Sequence, residues 1–408
     1  MKKLLSLGKY YVSDFIKDDN EYVNKNKYSL DLILDESIGA PRLTESAPLD
    51  NMYGKYWYRS GINKSMVNQL ENISDEICGR INYNKGDVWL DIACNDGVMF
   101  DFVPNDFIKI GIDPADDTFY EESSKRADHI VQDFFSYDSY SKTGYRDKKC
   151  KVITTIAMFY DLDDPNPFIE DINKILDDDG VWVIQLSYTP LMVKQLAFDN
   201  ICHEHIYYYS LMSLEKLFNN HDMKIVDCQL NDTNGGSFRV YIQKNKAGVE
   251  SFGTGPLRDV CNYRINSIMN YEKNNMDISD MSIWDEFLES MKNLKKQTVS
   301  FIEKEISNGK TVYGYGASTK GNTLLQYFGL NSSHITAIAE RSEYKFGLKT
   351  VGSNIPIISE DEMREKNPDY LLVLPWHFIG NFVEREREFL NGGGKFIVPC
   401  PKFEIIGA

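Results

Sequence analysis

From residue 65 onward, short apolar runs alternate with stretches whose apolar residues recur at helical spacing. The runs are VWLDIA at 88–93, IKIGID at 108–113, HIVQDFF at 129–135, KVITTIAMF at 151–159 and GVWVIQLSY at 180–188. A helical stretch from Met66 to Ile81 precedes the first, and PFIEDINKIL at 167–176 fits a helix between the last two. Strands alternating with helices predict a parallel sheet covered on its faces. The rhythm then changes. MKIVDCQL (223–230) and SFRVYIQK (237–244) flank a short polar turn and read as an antiparallel hairpin. Residues 246–310 are mostly helical, with Ile283, Phe287, Met291, Leu294, Thr298 and Ile302 on one stripe of a long packing helix. A second α/β unit begins at 311 with TVYGYG and continues through ITAIAE (335–340), YLLVLPW (370–376) and GKFIVPC (394–400). The predicted organisation is a small N-terminal module at 1–64, a first α/β domain at 65–245, a helical connector at 246–310 and a C-terminal Rossmann-like domain at 311–408.

Charge narrows the partners. The formal net charge is −16, so the chain lacks the basic stripe that nucleic acid or an anionic membrane requires. An anionic ligand must therefore be held by local groups. The seven cysteines are scattered without a CxxC pair, which predicts reduced thiols in a cytoplasm and no thiolate zinc cluster. The opening MKKLLSLGKYY carries an apolar stretch too short for a signal peptide, and no apolar run is long enough for a membrane span. Nothing in the pattern selects a monomer over a dimer.

A parallel core closed by an antiparallel hairpin is the mark of class I methyltransferases, whereas an ordinary dinucleotide fold continues in βαβ units. The expected fold is α/β: a class I methyltransferase domain, a second Rossmann-like domain and the N-terminal module. The loop DIACNDG (91–97) follows the first strand, so Asp91, Asn95, Asp96 and Gly97 are candidates for holding S-adenosylmethionine. Asp113 ends the next strand, where a carboxylate can accept from both ribose hydroxyls. Asp133 and Phe134 follow the third and are placed for the adenine amino group and ring. A nicotinamide site would prefer G-x-G-x-x-G after the first strand, and this loop does not supply it.

Five motifs, in order, carry a more specific resemblance: DIACNDG, ICHEHIYYYSL (201–211), NGGSFRVY (234–241), GYGASTKGNTLL (314–325) and KFGLKTVGSNIPI (345–357). With them the chain resembles the sugar C-methyltransferases of deoxysugar biosynthesis. That resemblance implies methylation of a carbon beside the ketone of a nucleotide-linked 4-keto-6-deoxy sugar. The family commonly carries an N-terminal zinc module with four cysteines; here the first cysteine is Cys78, so a metal-free remnant is expected. A tyrosine common before HEH is Cys202 here, and a family histidine after the fourth strand is replaced by Asp161.

A carbon acceptor needs a base to make an enolate and a donor at the ketone oxygen. Histidine supplies a base without much tuning. In an extended segment His203 and His205 would share one side and Glu204 the other. The resemblance points to His205 as base and Glu204 as its substrate-orienting neighbour, with His203 less defined. Cys202, or Tyr56 or Tyr58 from the N-terminal module, could meet the ketone. In the C-terminal domain, Gly314, Gly316 and Gly321 flank a strand-to-helix turn suited to a pyrophosphate, with Lys320 supplying charge and Glu340 a ribose contact. Gly235 and Arg239 at the hairpin are further substrate candidates. The competing readings are an O- or N-methyltransferase on a nucleotide sugar and an NAD-dependent sugar oxidoreductase.

Overall fold

The structure is a computed structural model that describes residues 2–18, 26–48, 57–247, 252 and 256–408. Strands β1 (Lys2–Tyr11), β3 (Lys27–Asp35) and β4 (Ala40–Leu43) form an antiparallel N-terminal sheet. The short β2 (Phe15–Ile16) instead pairs with β14 (Lys349–Thr350), tying the N-terminal module to the far end of the chain.

The central sheet uses β5 (Val88–Ile92), β6 (Ile108–Ile112), β7 (His129–Val131), β8 (Cys150–Ile156), β9 (Leu176–Ser187), β10 (Met223–Asn231) and β11 (Ser237–Lys244). Their order is β10-β11-β9-β8-β5-β6-β7. The five first strands run parallel, and β11 inserts antiparallel between β9 and β10. This is the class I methyltransferase arrangement. The third strand ends at Val131, earlier than its apolar run predicts, so Asp133 and Phe134 lie in the loop beyond it.

Helix α1 (Lys64–Cys78) packs Met66, Leu70, Ile73 and Ile77 against this sheet, a spacing that puts all four on one stripe. Each buried side chain of this size contributes about 1.5–3 kcal/mol. Asn63 caps the helix by accepting from Ser65 N. Beyond β9 the chain runs through α2 (Thr189–Lys194) and a loop to α3 (Leu211–Asn219). Two helices, α4 (Pro256–Asn275) and α5 (Met281–Ser307), form the connector. Phe287, Met291, Leu294, Thr298 and Ile302 of α5 are buried, as their spacing predicts.

The C-terminal sheet holds β12 (Val312–Tyr315), β13 (Ile338–Glu340), β15 (Ile357–Ser359), β16 (Tyr370–Val373), β17 (Lys395–Val398) and β18 (Glu404–Ile406) in the order β15-β13-β12-β16-β17-β18. All but β18 are parallel. Helix α6 (Thr319–Phe328) follows β12 directly. No helix among the described residues is long and apolar enough to cross a membrane.

Candidate active site

The loop after β5 is held in an unusual backbone. Ala93, Asn95 and Gly97 take φ of 59°, 55° and 75°. Gly97 is required: a Cβ there would lie 2.8 Å from Ser123 Cα. Asp113 closes the loop, with one carboxylate oxygen accepting from Asn95 N at 2.7 Å and the other from Ala115 N at 2.8 Å. Burial raises its pKa despite those bonds. Each oxygen keeps a lone pair, enough for a diol. Asp133 is half-buried and paired to Lys142, which holds its carboxyl below the ordinary range, and Phe134 is 49% exposed beside it.

Three residues expected at the ligand have other partners. Asp91 lies in register with Thr154 of β8, whose hydroxyl donates to it at 2.6 Å, and it is 4% exposed. Burial pushes it up to about 7, so it braces the loop from beneath. Asn95 and Asp96 accept from Ser60 N at 3.0 Å and Gly61 N at 2.7 Å, and Asn95 Nδ2 donates to Tyr58 O. The N-terminal segment thus clamps the loop through these two side chains. Tyr58 is 40% exposed over it, and burial of its hydroxyl with Asp96 nearby pushes it up to about 12. Tyr56 lies outside the described residues.

Residues 201–206 overturn the extended reading. His205 N donates to Cys202 O at 3.2 Å, so the segment is a turn, and the two imidazoles part. His203 faces the N-terminal sheet, with Nε2 at 3.2 Å from Tyr28 O and its ring edge-on to Tyr28. His205 turns the other way and packs on Tyr160 at 4.2 Å between centroids. Its Nδ1 lies 2.9 Å from Asn200 O. A carbonyl only accepts, so Nδ1 carries the proton and Nε2 the lone pair. Burial, reinforced by Lys320, lowers His205 to about 3, so it stays neutral. The N-terminal sheet braces this turn: Leu43 N donates to Ile206 O and Tyr208 N to Pro41 O, both at 2.9 Å.

Glu204 is pushed up to about 7 by burial, against the opposing pull of Cys202, Lys320 and Thr319. The Cys202 thiol, itself raised well up by burial, donates to Glu204 at 3.7 Å. A carboxyl whose folded pKa exceeds its ordinary 4.5 contributes stability that is present below 4.5 and lost as pH rises through 7. Glu204→Gln therefore raises Tm by several degrees at pH 8, and the gain shrinks as pH falls below 7 and vanishes only below 4.5. Thermal melts across that range measure it; a gain independent of pH contradicts the assignment.

The C-terminal half enters this cluster. Lys320 Nζ donates to Asn200 Oδ1 at 2.6 Å. Trp376 Nε1 donates to Asp199 Oδ2 at 3.1 Å, and a Cβ on Gly235 would lie 3.6 Å from both Trp376 and His377. Lys320 therefore leaves the glycine turn, where sequence placed it against a pyrophosphate, and faces the histidine loop. The glycines of that turn serve close packing: a Cβ on Gly314 would meet Ile338, on Gly316 (φ 82°) Pro375, and on Gly321 Leu374. Glu340 accepts from Ala317 N at 2.8 Å and from Arg341 N and Ser342 N, shaping the same turn.

Arg239 lies inside β11 rather than at the hairpin turn and is 2% exposed. Its guanidinium donates to Gln185 at 3.1 Å and Asn72 at 3.0 Å, on the α1 side of the sheet and apart from the His205 cluster. Sequence reasoning missed Asn200 and Asp199. Their only signal was adjacency to CHEH. Among the described residues no group of three or more histidines, cysteines and acids could hold a metal.

Two family models match consecutive parts of the chain. Residues 69–227 match the family described as a methyltransferase domain, and residues 232–401 match the C-methyltransferase C-terminal domain. The chain is 26% identical over 396 residues to the C-methyltransferase NovU of Streptomyces niveus, covering 97% of this chain and 91% of that one. Solved structures align over less. The plantazolicin methyltransferase BpumL, in complex with a triazolic desmethylPZN analog and SAH, matches with TM-score 0.37 and 13% identity, covering 46% of this chain and 88% of its own. Magnesium protoporphyrin IX methyltransferase (ChlM) from Synechocystis PCC 6803, with bound SAM, matches with TM-score 0.33 and 9% identity, covering 44% of this chain and 79% of its own. With one part of the chain matching a methyltransferase domain and the next a C-methyltransferase C-terminal domain, and with the class I sheet order between them, the chain is an S-adenosylmethionine-dependent methyltransferase similar to the C-methyltransferase NovU.

Proposed function

We propose that this enzyme methylates a carbon adjacent to the ketone of a nucleotide-linked 4-keto-deoxy sugar through an enolate, with His205 as the base. The observation that carries the reading is the orientation of His205. Asn200 O fixes the proton on Nδ1, and Nε2 makes no hydrogen bond among the described residues. A neutral imidazole with its lone pair aimed away from its anchor is oriented to accept a proton, although burial weakens it as a base.

The cofactor supplies an electrophilic methyl on a sulfonium sulfur. The residues after β5 fit it. Asp113 offers lone pairs to a ribose diol, the Gly97 backbone allows close approach, and the Asp133–Phe134 loop offers a carboxylate and an aromatic face to an adenine. Asp91, Asn95 and Asp96 hold the loop in shape. The nucleotide of the sugar lies on the Gly314–Gly321 turn and the N-terminus of α6, with Glu340 at its ribose. The sugar ring then falls in the cleft between the two halves, where Lys320 reaches Asn200 beside His205 and Gly235 approaches Trp376 and His377. Arg239 positions Gln185 and Asn72 at the sheet rather than touching the sugar. His203 and Cys202 support the turn that aims His205.

Incubating the purified enzyme with methyl-labelled S-adenosylmethionine and a panel of nucleotide-linked 4-keto-6-deoxyhexoses tests the reading. We expect a mass gain of one methyl and a carbon-bound methyl resonance by NMR. A new methyl on oxygen or nitrogen overturns the enolate route. Tight NADH binding without S-adenosylmethionine binding overturns methyl transfer altogether.

A further inference from the structure

Lys320 sits in an unfavourable place for a cation. It is the second residue of α6, at the positive end of the helix dipole. Its side chain crosses the cleft instead of lying along that helix, and Nζ reaches Asn200 Oδ1, 120 residues away in the chain. Asn200 is also the residue whose backbone carbonyl anchors His205 Nδ1. One residue therefore sets the base and the ammonium side by side. An ammonium has three N–H donors, and Asn200 takes one. Lys320 forms no ion pair within 4.0 Å among the described residues, although Glu204 and Asp199 lie close enough to feel its charge. Asp199 is itself turned to Trp376 and leaves its Oδ1 without a partner. The ammonium thus keeps unused donors beside a base, in a site walled by Tyr160, Tyr208 and Trp376.

We propose that the Lys320 ammonium holds the ketone oxygen of the substrate and stabilises the enolate that His205 generates, which makes Lys320 a catalytic residue supplied by the C-terminal half. The inference rests on the C-methylation reading above. In the step, the C–H bond beside the ketone breaks and its proton forms an N–H bond at His205 Nε2. The C–H electron pair becomes the carbon–carbon π bond, and the carbonyl π pair moves onto oxygen, where Lys320 N–H meets it. Charge is conserved: a neutral imidazole and a neutral ketone become an imidazolium and an enolate, with no redox partner needed. The same cation that weakens His205 as a base stabilises the oxyanion, and the closer contact dominates because Coulomb energy falls with distance.

Proton exchange in D2O without methyl donor tests this apart from turnover. The probe is whichever 4-keto-6-deoxyhexose nucleotide the enzyme methylates, followed by NMR at the carbon beside the ketone. Lys320→Gln keeps a donor for Asn200 and removes the charge; Lys320→Met removes both. We expect both to lose exchange about a hundredfold at saturating sugar, with S-adenosylmethionine affinity by calorimetry unchanged, and Lys320→Arg to recover part of it. Wild-type exchange in both charge-removing variants overturns the proposal. So does a loss confined to KM, the signature of a pyrophosphate contact. If Lys320→Met does not fold, Lys320→Gln and Lys320→Arg decide by the same readout. Failure of the underlying reading looks different: the wild type then exchanges no proton and methylates oxygen or nitrogen.

Discussion

His205→Asn lowers the rate of methyl transfer about a thousandfold and leaves S-adenosylmethionine affinity within about twofold. Asparagine is chosen because its Nδ2 can replace Nδ1 in donating to Asn200 O, so the turn keeps its anchor while the Nε2 lone pair disappears. The buried ring that packs on Tyr160 shrinks, which costs some packing, but the loop after β5 proposed for the cofactor is built from other residues. The loss falls on kcat rather than on binding. Single-turnover rates and calorimetry separate the two. Wild-type turnover in this variant removes the base assignment, and a matching collapse of cofactor affinity shows that the residue only holds the fold. Because His205 stays neutral well below pH 6.5, the rate also lacks the acid limb that a solvent-exposed histidine would impose.

Glu272→Ala destabilises the enzyme by at least about 3 kcal/mol, the largest stability effect expected of a residue outside the site. Glu272 lies on α4 and is 1% exposed. One oxygen accepts from Tyr188 Oη and Leu211 N, the other from Met212 N, all at 2.8 Å. Those donors sit where β9 ends and where α3 begins, the two ends of the segment that carries His205. Truncation leaves three buried donors unsatisfied, each costing about 1–3 kcal/mol. Urea unfolding measures the loss. Glu272→Gln, which keeps an acceptor oxygen, recovers part of it. A shift below about 1 kcal/mol in the alanine variant means that water replaces the carboxylate and that the brace is not structural.

The sheets were readable because their signal is local. VWLDIA, IKIGID and KVITTIAMF alternate with helix-spaced stretches, and each run became a strand of the central sheet. The hairpin of β10 and β11 was equally plain from its polar turn, and it separated this fold from a dinucleotide domain. HIVQDFF misled by length: Gln132 turns back to Ala115 O and ends the strand early, moving Asp133 and Phe134 into a loop. The CHEH segment misled by shape, since the Cys202–His205 turn bond sends His203 to Tyr28 of the N-terminal sheet and His205 to Tyr160 and Asn200.

What the sequence determined by itself was the order of elements and the identity of the residues offered to chemistry, among them the loop proposed for the methyl donor. Spacing along the chain encodes these, because hydrophobic period and turn residues act within a few positions. What only the tertiary structure decided was which of those residues face one another. Protonation, tautomer and charge at His205, Glu204 and Lys320 follow from burial and from partners far away in sequence, such as the contact between Lys320 and Asn200 across 120 residues. Desolvation and Coulomb interaction depend on distance through space, and no local pattern records that distance.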